Sequence, residues 1–189
     1  MGEYVYVDNS NLFIEGQRVS AVVNGFETTI EEALRYQTLD PAYRMDFGKI
    51  FEFVAGARNS NLKRAVLFGS RPPEHDQLWN IAEDAGFEVI VVDRNAANKE
   101  KKVDTGIVTE MLRDAYKKAS PGSTVTLVAG DGDYVPAITH LKSDGFTADV
   151  VFWEHASREL KEVCSNFHPL NSHLDQFVPT FSNRVVRTD

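Results

Sequence analysis

Four aspartates would carry chemistry if the fold brings them together. Asp8 closes the apolar run Tyr4 to Val7 and is followed by Asn9, Ser10 and Asn11. Asp131 and Asp133 stand in Gly130-Asp131-Gly132-Asp133, directly after the β-rich run 124–129. Asp104 lies three and four residues ahead of Ile107 and Val108. On a helix that spacing sets Asp104 one turn before an apolar stripe, at an N-terminus where the helix dipole favours negative charge. Three or four carboxylates in one small volume repel unless something neutralises them. Hard divalent cations with oxygen ligands do so, Mg²⁺ or Mn²⁺ before zinc. A carboxylate-held Mg²⁺ keeps waters and accepts phosphate oxygens, which suits phosphoryl-transfer or phosphodiester chemistry. Taken singly, each aspartate is as well explained as a turn residue or a helix cap. Their joint placement is what points to a site.

The elements that must position them follow from periodicity. Tyr4 to Val7 and residues 64–69, 87–92, 124–129 and 147–152 are short, near-continuous apolar runs, as in parallel strands covered on both faces. Between them lie helical stripes. Phe47, Ile50, Phe51 and Val54 form one behind an Asp46 cap, and residues 73–85 form another, closed by Gly86. Ile107, Val108, Met111, Leu112 and Ala115 make a third, Asp133 to Lys142 a fourth with Pro136 in its first turn, and Leu160, Val163, Cys164 and Phe167 a fifth. The alternation predicts a doubly wound α/β domain of three layers, with a central, mainly parallel sheet of about five strands. Ligands of such sheets bind beyond the carboxyl ends of the strands, so Asp8, the Gly130–Asp133 segment and Gly69-Ser70-Arg71 should share one rim. The domain is read as residues 1–167. Residues 18–45 fall outside the pattern as an insertion or lid, and 168–189 as a C-terminal extension; both are candidates for setting substrate choice or a homodimer contact.

Composition bounds the partners. The chain has 189 residues, 42% apolar and 25% charged, as one globular domain does. Its net charge of -8 argues against a surface coated for duplex DNA, though not against a local basic rim. The single cysteine, Cys164, excludes a disulfide framework and a four-cysteine zinc site. No apolar run approaches a membrane span, no secretory signal is visible at the N-terminus, and Tyr6 stands where a Gly2 myristoylation signal needs Ser or Thr, so the expected location is cytoplasmic, without a membrane partner.

The ordered motifs Tyr4-Val-Tyr-Val-Asp-Asn-Ser-Asn-Leu12, Lys102-Val-Asp104 and Leu127-Val-Ala-Gly-Asp-Gly-Asp-Tyr-Val-Pro136, with Leu141 and Gly145 beyond, resemble the NYN domain, a PIN-like nuclease family, and most closely its LabA-like branch. The resemblance covers roughly residues 3–167 and implies a PIN-like (Rossmannoid) α/β/α fold with metal-dependent ribonuclease activity. It implies Mg²⁺ or Mn²⁺ held by Asp8, Asp104, Asp131 and Asp133, with Asn11 orienting a carboxylate or the substrate. Lys102 falls in the family's Lys-x-Asp element, and Ser70 and Thr105 are candidates for phosphate or metal-water contacts. One departure is visible: Asn166 stands where the family often has an aspartate before the Phe.

Arg71, Arg94, Lys99, Lys101 and Lys102 offer a local basic path for single-stranded RNA, and Tyr134 and Trp153 are aromatics that can stack bases or simply pack. Cys164, His168 and His173 loosely suggest a metal set without a fourth ligand. Two other functions compete. A haloacid-dehalogenase-like phosphatase also has an aspartate after its first strand, but its general acid two residues on is here Ser10. A catalytically weak regulator that binds RNA or protein would keep the fold without turnover.

Overall fold

The computed structural model describes residues 1–56, 60–71, 77–93 and 103–178. In chain order these form β1 (Glu3–Asp8), α1 (Asn9–Val23), α2 (Ile30–Tyr36), α3 (Phe47–Ala55), β2 (Leu62–Arg71), α4 (Gln77–Asp84) and β3 (Glu88–Asp93). There follow α5 (Val103–Lys117), β4 (Thr124–Val128), a 3-10 turn (Gly132–Tyr134), α6 (Val135–Ser143), β5 (Thr147–Phe152), α7 (Arg158–Val163), β6 (Phe167–Pro169) and a second 3-10 turn (Asn171–Gln176).

The strands lie in the order β3-β2-β1-β4-β5-β6, and each described pairing is parallel. The winding reverses between β1 and β4, which makes their carboxyl ends the switch point where such sheets open a crevice. Val7 is paired with Val128, so Asp8 and the Gly130–Asp131 segment leave the sheet side by side at that crevice. Strand alternation sets the faces. Val5 and Val7 pack with Leu12, Tyr43, Ile50 and Phe152 under α1 and α3, whereas Tyr4 and Tyr6 pack with Ile107, Met111, Ile138 and Leu160 under α5, α6 and α7. Asp8 has the parity of Tyr6 and so projects to the α5 side.

The sheet has one strand more than expected, and its source is the end of the chain. The fifth apolar stripe is not one helix: α7 stops at Val163 and Cys164 is extended. Ser165 then exchanges bonds with β5, its N–H donating to Ala148 O at 2.7 Å and its hydroxyl accepting from Ala148 N at 3.0 Å. Asn166 donates through Nδ2 to Asp149 Oδ1 at 2.7 Å, a place where an aspartate would repel. Phe167 thus enters β6. Beyond it Leu170, Leu174 and Phe177 are buried in the same cluster as Tyr43 and Ile50, and Asp46 N, at the start of α3, donates to Phe177 O at 2.7 Å.

Residues 18–45 are not a separable lid. Helix α1 runs through residue 18 to Val23, burying Arg18, Ser20 and Ala21. Asp40, 2% exposed, accepts from Ser20 Oγ at 2.6 Å, Asn24 Nδ2 at 2.8 Å and Ala42 N at 2.8 Å, and this seats Tyr43 in the core. A deletion of residues 20–44 removes core with the loop.

At the other end of the sheet a charge network crosses from β2 to α5. The Arg64 guanidinium meets Glu88 of β3 and donates to Glu110 Oε2 at 2.7 Å and to Asp114 Oδ2 at 2.5 Å. Asp114 is fully buried and also takes Tyr6 Oη at 2.9 Å and Lys118 Nζ at 2.8 Å. Burial would raise its carboxyl, but Lys118, Arg64 and Tyr6 together hold it below the ordinary carboxylate value. No helix among the described residues is long and apolar enough to cross a membrane.

Candidate active site

Asp8 is both the end of β1 and the cap of α1. Its Oδ1 accepts from Asn11 N at 3.0 Å and Ser10 Oγ at 3.2 Å, the bonds expected of a helix N-cap. Its Oδ2 faces the other way and accepts from Tyr134 Oη at 3.0 Å. Asp8 is 4% exposed. Burial pushes its carboxyl up to about 6; the three hydrogen bonds oppose this, and the nearby Asp104 charge adds to it.

Asp104 occupies the first turn of α5, as its spacing to Ile107 predicts. Its Oδ1 stands 3.3 Å from the same Tyr134 hydroxyl. Asp8 and Asp104 therefore approach one another around a single phenol. Tyr134 is fully buried, and its hydroxyl is pushed well up by burial and by the Asp8 and Asp104 charges, so the phenol keeps its proton.

Asn11 holds the second wall. Its Oδ1 accepts from Gly130 N at 2.8 Å, tying the start of α1 to the exit of β4. Gly130 O in turn accepts from Ser157 N at 2.8 Å, which adds the β5–α7 loop. Asp131 caps the 3-10 turn, its Oδ1 accepting from Asp133 N at 3.2 Å, and both aspartates are exposed. Gly130 admits no side chain: a Cβ would lie 2.1 Å from Cδ1 of Phe152, itself 1% exposed. Gly130→Ala is expected to cost about 1–3 kcal/mol, as overpacked cores do. Urea denaturation would show a lowered midpoint, and an unchanged midpoint would mean that the loop yields without displacing Phe152.

The other expected residues fall as follows. Ser70 is buried, with the parity of Val66 and Phe68 that faces α5; Thr105 is exposed, with its carbonyl accepting from Thr109 Oγ1 at 2.7 Å. Lys102, Arg94, Lys99 and Lys101 lie outside the described residues, as does the Arg71 side chain, so the basic path falls outside them too. Tyr134 and Trp153 are not base platforms: both are fully buried, and Trp153 donates through Nε1 to Leu12 O at 3.0 Å. Cys164, His168 and His173 do not converge. The thiol turns to Lys161 O, His168 faces Asp149 at 3.9 Å, and His173 packs on Phe53 with centroids 4.8 Å apart.

Among the described residues no group of three or more His, Cys, Asp or Glu stands close enough to hold a metal ion. The donor chemistry still fits a hard cation. Mg²⁺ is commonly held by one or two carboxylates with waters and substrate phosphates. Asp8 and Asp104 supply such a pair, and burial, with a smaller contribution from the Asp104 charge, raises the Asp8 carboxyl.

The sequence profile of the NYN domain matches residues 4–171. The chain belongs to the NYN domain family. NYN domains form part of the PIN-like nuclease superfamily, are in general nuclease-like and usually use divalent metal ions. A crystal structure from Vibrio parahaemolyticus, titled as a protein of unknown function, is similar with a TM-score of 0.65 at 19% identity, over 94% of this chain and 96% of that one. At that identity the likeness shows the fold. The comparison with curated proteins finds no match. In this NYN domain the residue that sequence reasoning missed is Tyr134, placed by its aromatic ring alone; the position after Asp133 gave no sign that its hydroxyl spans two carboxylates.

Proposed function

We propose that this NYN domain is a metal-dependent ribonuclease that hydrolyses phosphodiester bonds of single-stranded RNA in the cytoplasm. The observation that carries the reading is the pairing of Asp8 with Asp104 around Tyr134 at the switch point of the sheet. Asp8 and Asp104 would hold Mg²⁺ or Mn²⁺, with Asp131 and Asp133 at the exposed mouth contributing to the ion or to its waters. When bound, such an ion supplies Lewis-acid polarisation of the phosphate and a water of lowered pKa. The chain's own part is to place its groups. Asn11 holds the Gly130 loop, and Ser10 and the Asn11 amide fix the Asp8 carboxylate. In hydrolysis a water oxygen joins phosphorus, one ester P–O bond breaks, and the leaving oxygen takes a proton. Lys102, Thr105, Ser70 and Arg71 are proposed to meet the substrate backbone, and the LabA-like placement rests on the motif resemblance.

The test is cleavage of a labelled single-stranded RNA with Mn²⁺, beside an EDTA control. Cleavage that EDTA abolishes supports the reading. Retained RNA binding without cleavage would replace it with the regulator, a reading favoured by the absence of a third close carboxylate among the described residues. Hydrolysis of small phosphomonoesters instead of RNA would overturn both.

A further inference from the structure

The Tyr134 hydroxyl is the group on which both buried-side carboxylates meet, at 3.0 Å from Asp8 Oδ2 and 3.3 Å from Asp104 Oδ1. Its ring is locked. Tyr134 ends the 3-10 turn, is fully buried, and packs in the cluster of Val103, Ile107 and Ile138. The hydroxyl therefore stands at a place set by the core, and the carboxylates must arrange themselves about it.

An ionised carboxylate has about four acceptor sites. Among the described residues three hydrogen bonds reach Asp8, from Asn11 N, Ser10 Oγ and Tyr134 Oη. That fixes the rotation of the carboxylate and leaves about one lone pair for an outside ligand. Asp8 is thus built to offer a cation a single oxygen site in a set direction.

We propose that Tyr134 is a positioning residue that sets the spacing and orientation of Asp8 and Asp104 for a divalent cation; this rests on the metal site argued above. Groups that hydrogen-bond a metal's ligands commonly change its affinity by about 10–100-fold when removed. Phe at this position keeps the ring and its packing and removes only the shared proton donor.

The experiment measures Mn²⁺ binding to the full chain without RNA, from the electron paramagnetic resonance signal of free Mn²⁺, for the wild type, Tyr134→Phe and Asp8→Asn. Tyr134→Phe is expected to fold but melt below the wild type, since buried Asp8 loses one hydrogen bond, to bind Mn²⁺ about 10–100-fold more weakly, and to regain most of its cleavage rate at saturating Mn²⁺. A residue that served only packing would leave the Mn²⁺ affinity unmoved, and that result overturns the proposal. Loss of binding in Asp8→Asn with wild-type binding in Tyr134→Phe rejects the role of Tyr134 and keeps the site. Equal binding in the wild type and Asp8→Asn rejects the site itself. Should Tyr134→Phe not fold, the wild type carrying 3-fluorotyrosine gives a second reading. Its Tyr134 signal, assigned by exclusion with Tyr→Phe variants at the other five of the six tyrosines, must shift as Mg²⁺ is added. A signal that stays in place overturns the proposal.

Discussion

Asp8→Asn is expected to abolish metal-dependent RNA cleavage and at the same time to raise the melting temperature of the metal-free protein at pH 7.5. The two effects have one cause. Asp8 is buried beside a second carboxylate, and its carboxyl is pushed up to about 6 from an ordinary 3.8. The folded state thus binds a proton more readily than the unfolded state. Stability from this group is greatest at or below the unfolded value and is lost as pH rises through 6. Above that, keeping the charged form in the fold costs about 3 kcal/mol in the absence of a cation. Asparagine fits the same bonds. Its carbonyl can accept from Asn11 N, and its amide can face the Tyr134 oxygen, which is then free to turn its proton to Asp104. For a chain of this size the gain corresponds to as much as about 6–12 °C. Thermal melts in EDTA at pH 7.5 and pH 5 decide the matter: the variant's advantage should shrink at the lower pH. A variant less stable than the wild type at pH 7.5 would mean that the Asp8 charge is already compensated, and a variant that cleaves at the wild-type rate would remove Asp8 from the site.

The second large effect lies at the far end of the sheet. Arg64→Met should lower stability by about 3–5 kcal/mol, because it withdraws the guanidinium from a fully buried Asp114. The corresponding drop in melting temperature is roughly 6–20 °C. Tyr6 and Lys118 remain as partners of Asp114, which places the expected value toward the lower figure. The cleavage rate per folded molecule should not change, since the network joins the start of β2 to the later turns of α5 and does not reach the switch point. Asp114 gives the pH sign opposite to that of Asp8. Its lowered carboxyl contributes stability that is present above the unfolded value and lost as acid protonates it. A melting temperature within 2 °C of the wild type (under about 1 kcal/mol at this chain length) would mean that the network adds nothing beyond its own desolvation cost.

Much of this fold is written in pattern. The runs at Tyr4 to Val7, 64–69, 124–129 and 147–152 can be read because parallel strands buried on both faces leave little room for polar residues. Asp104 can be placed because Ile107 and Met111 mark the buried side of its helix. What resists reading is structure made by polar groups. Helix α1 continues through Arg18 and Ser20, which look like loop residues until Glu15 and Asp40 supply their partners. Strand β6 has only three residues, and Ser165 and Asn166, which divert the chain into it, carry no strand signal. The rim was legible as a place, since strand ends are where polar residues gather. Its inner geometry was not. Nothing in Gly-Asp-Gly-Asp tells that Asp131 and Asp133 stay exposed while the next side chain, Tyr134, turns inward to Asp8.

The strand order also has a consequence during synthesis. β1 is made first and ends in the middle of the sheet, between β2 and β4. The hydrogen bond from Tyr134 to Asp8 spans 126 residues, and that from Gly130 to Asn11 spans 119. Contacts of such separation form only after the whole intervening segment has left the ribosome. A growing polypeptide therefore exposes Asp8 without its neighbours until the segment through Tyr134 has emerged. The carboxylate pair is completed only when α5 and the turn after β4 are both outside the tunnel, so the proposed metal site cannot form before β4 and its turn have been made.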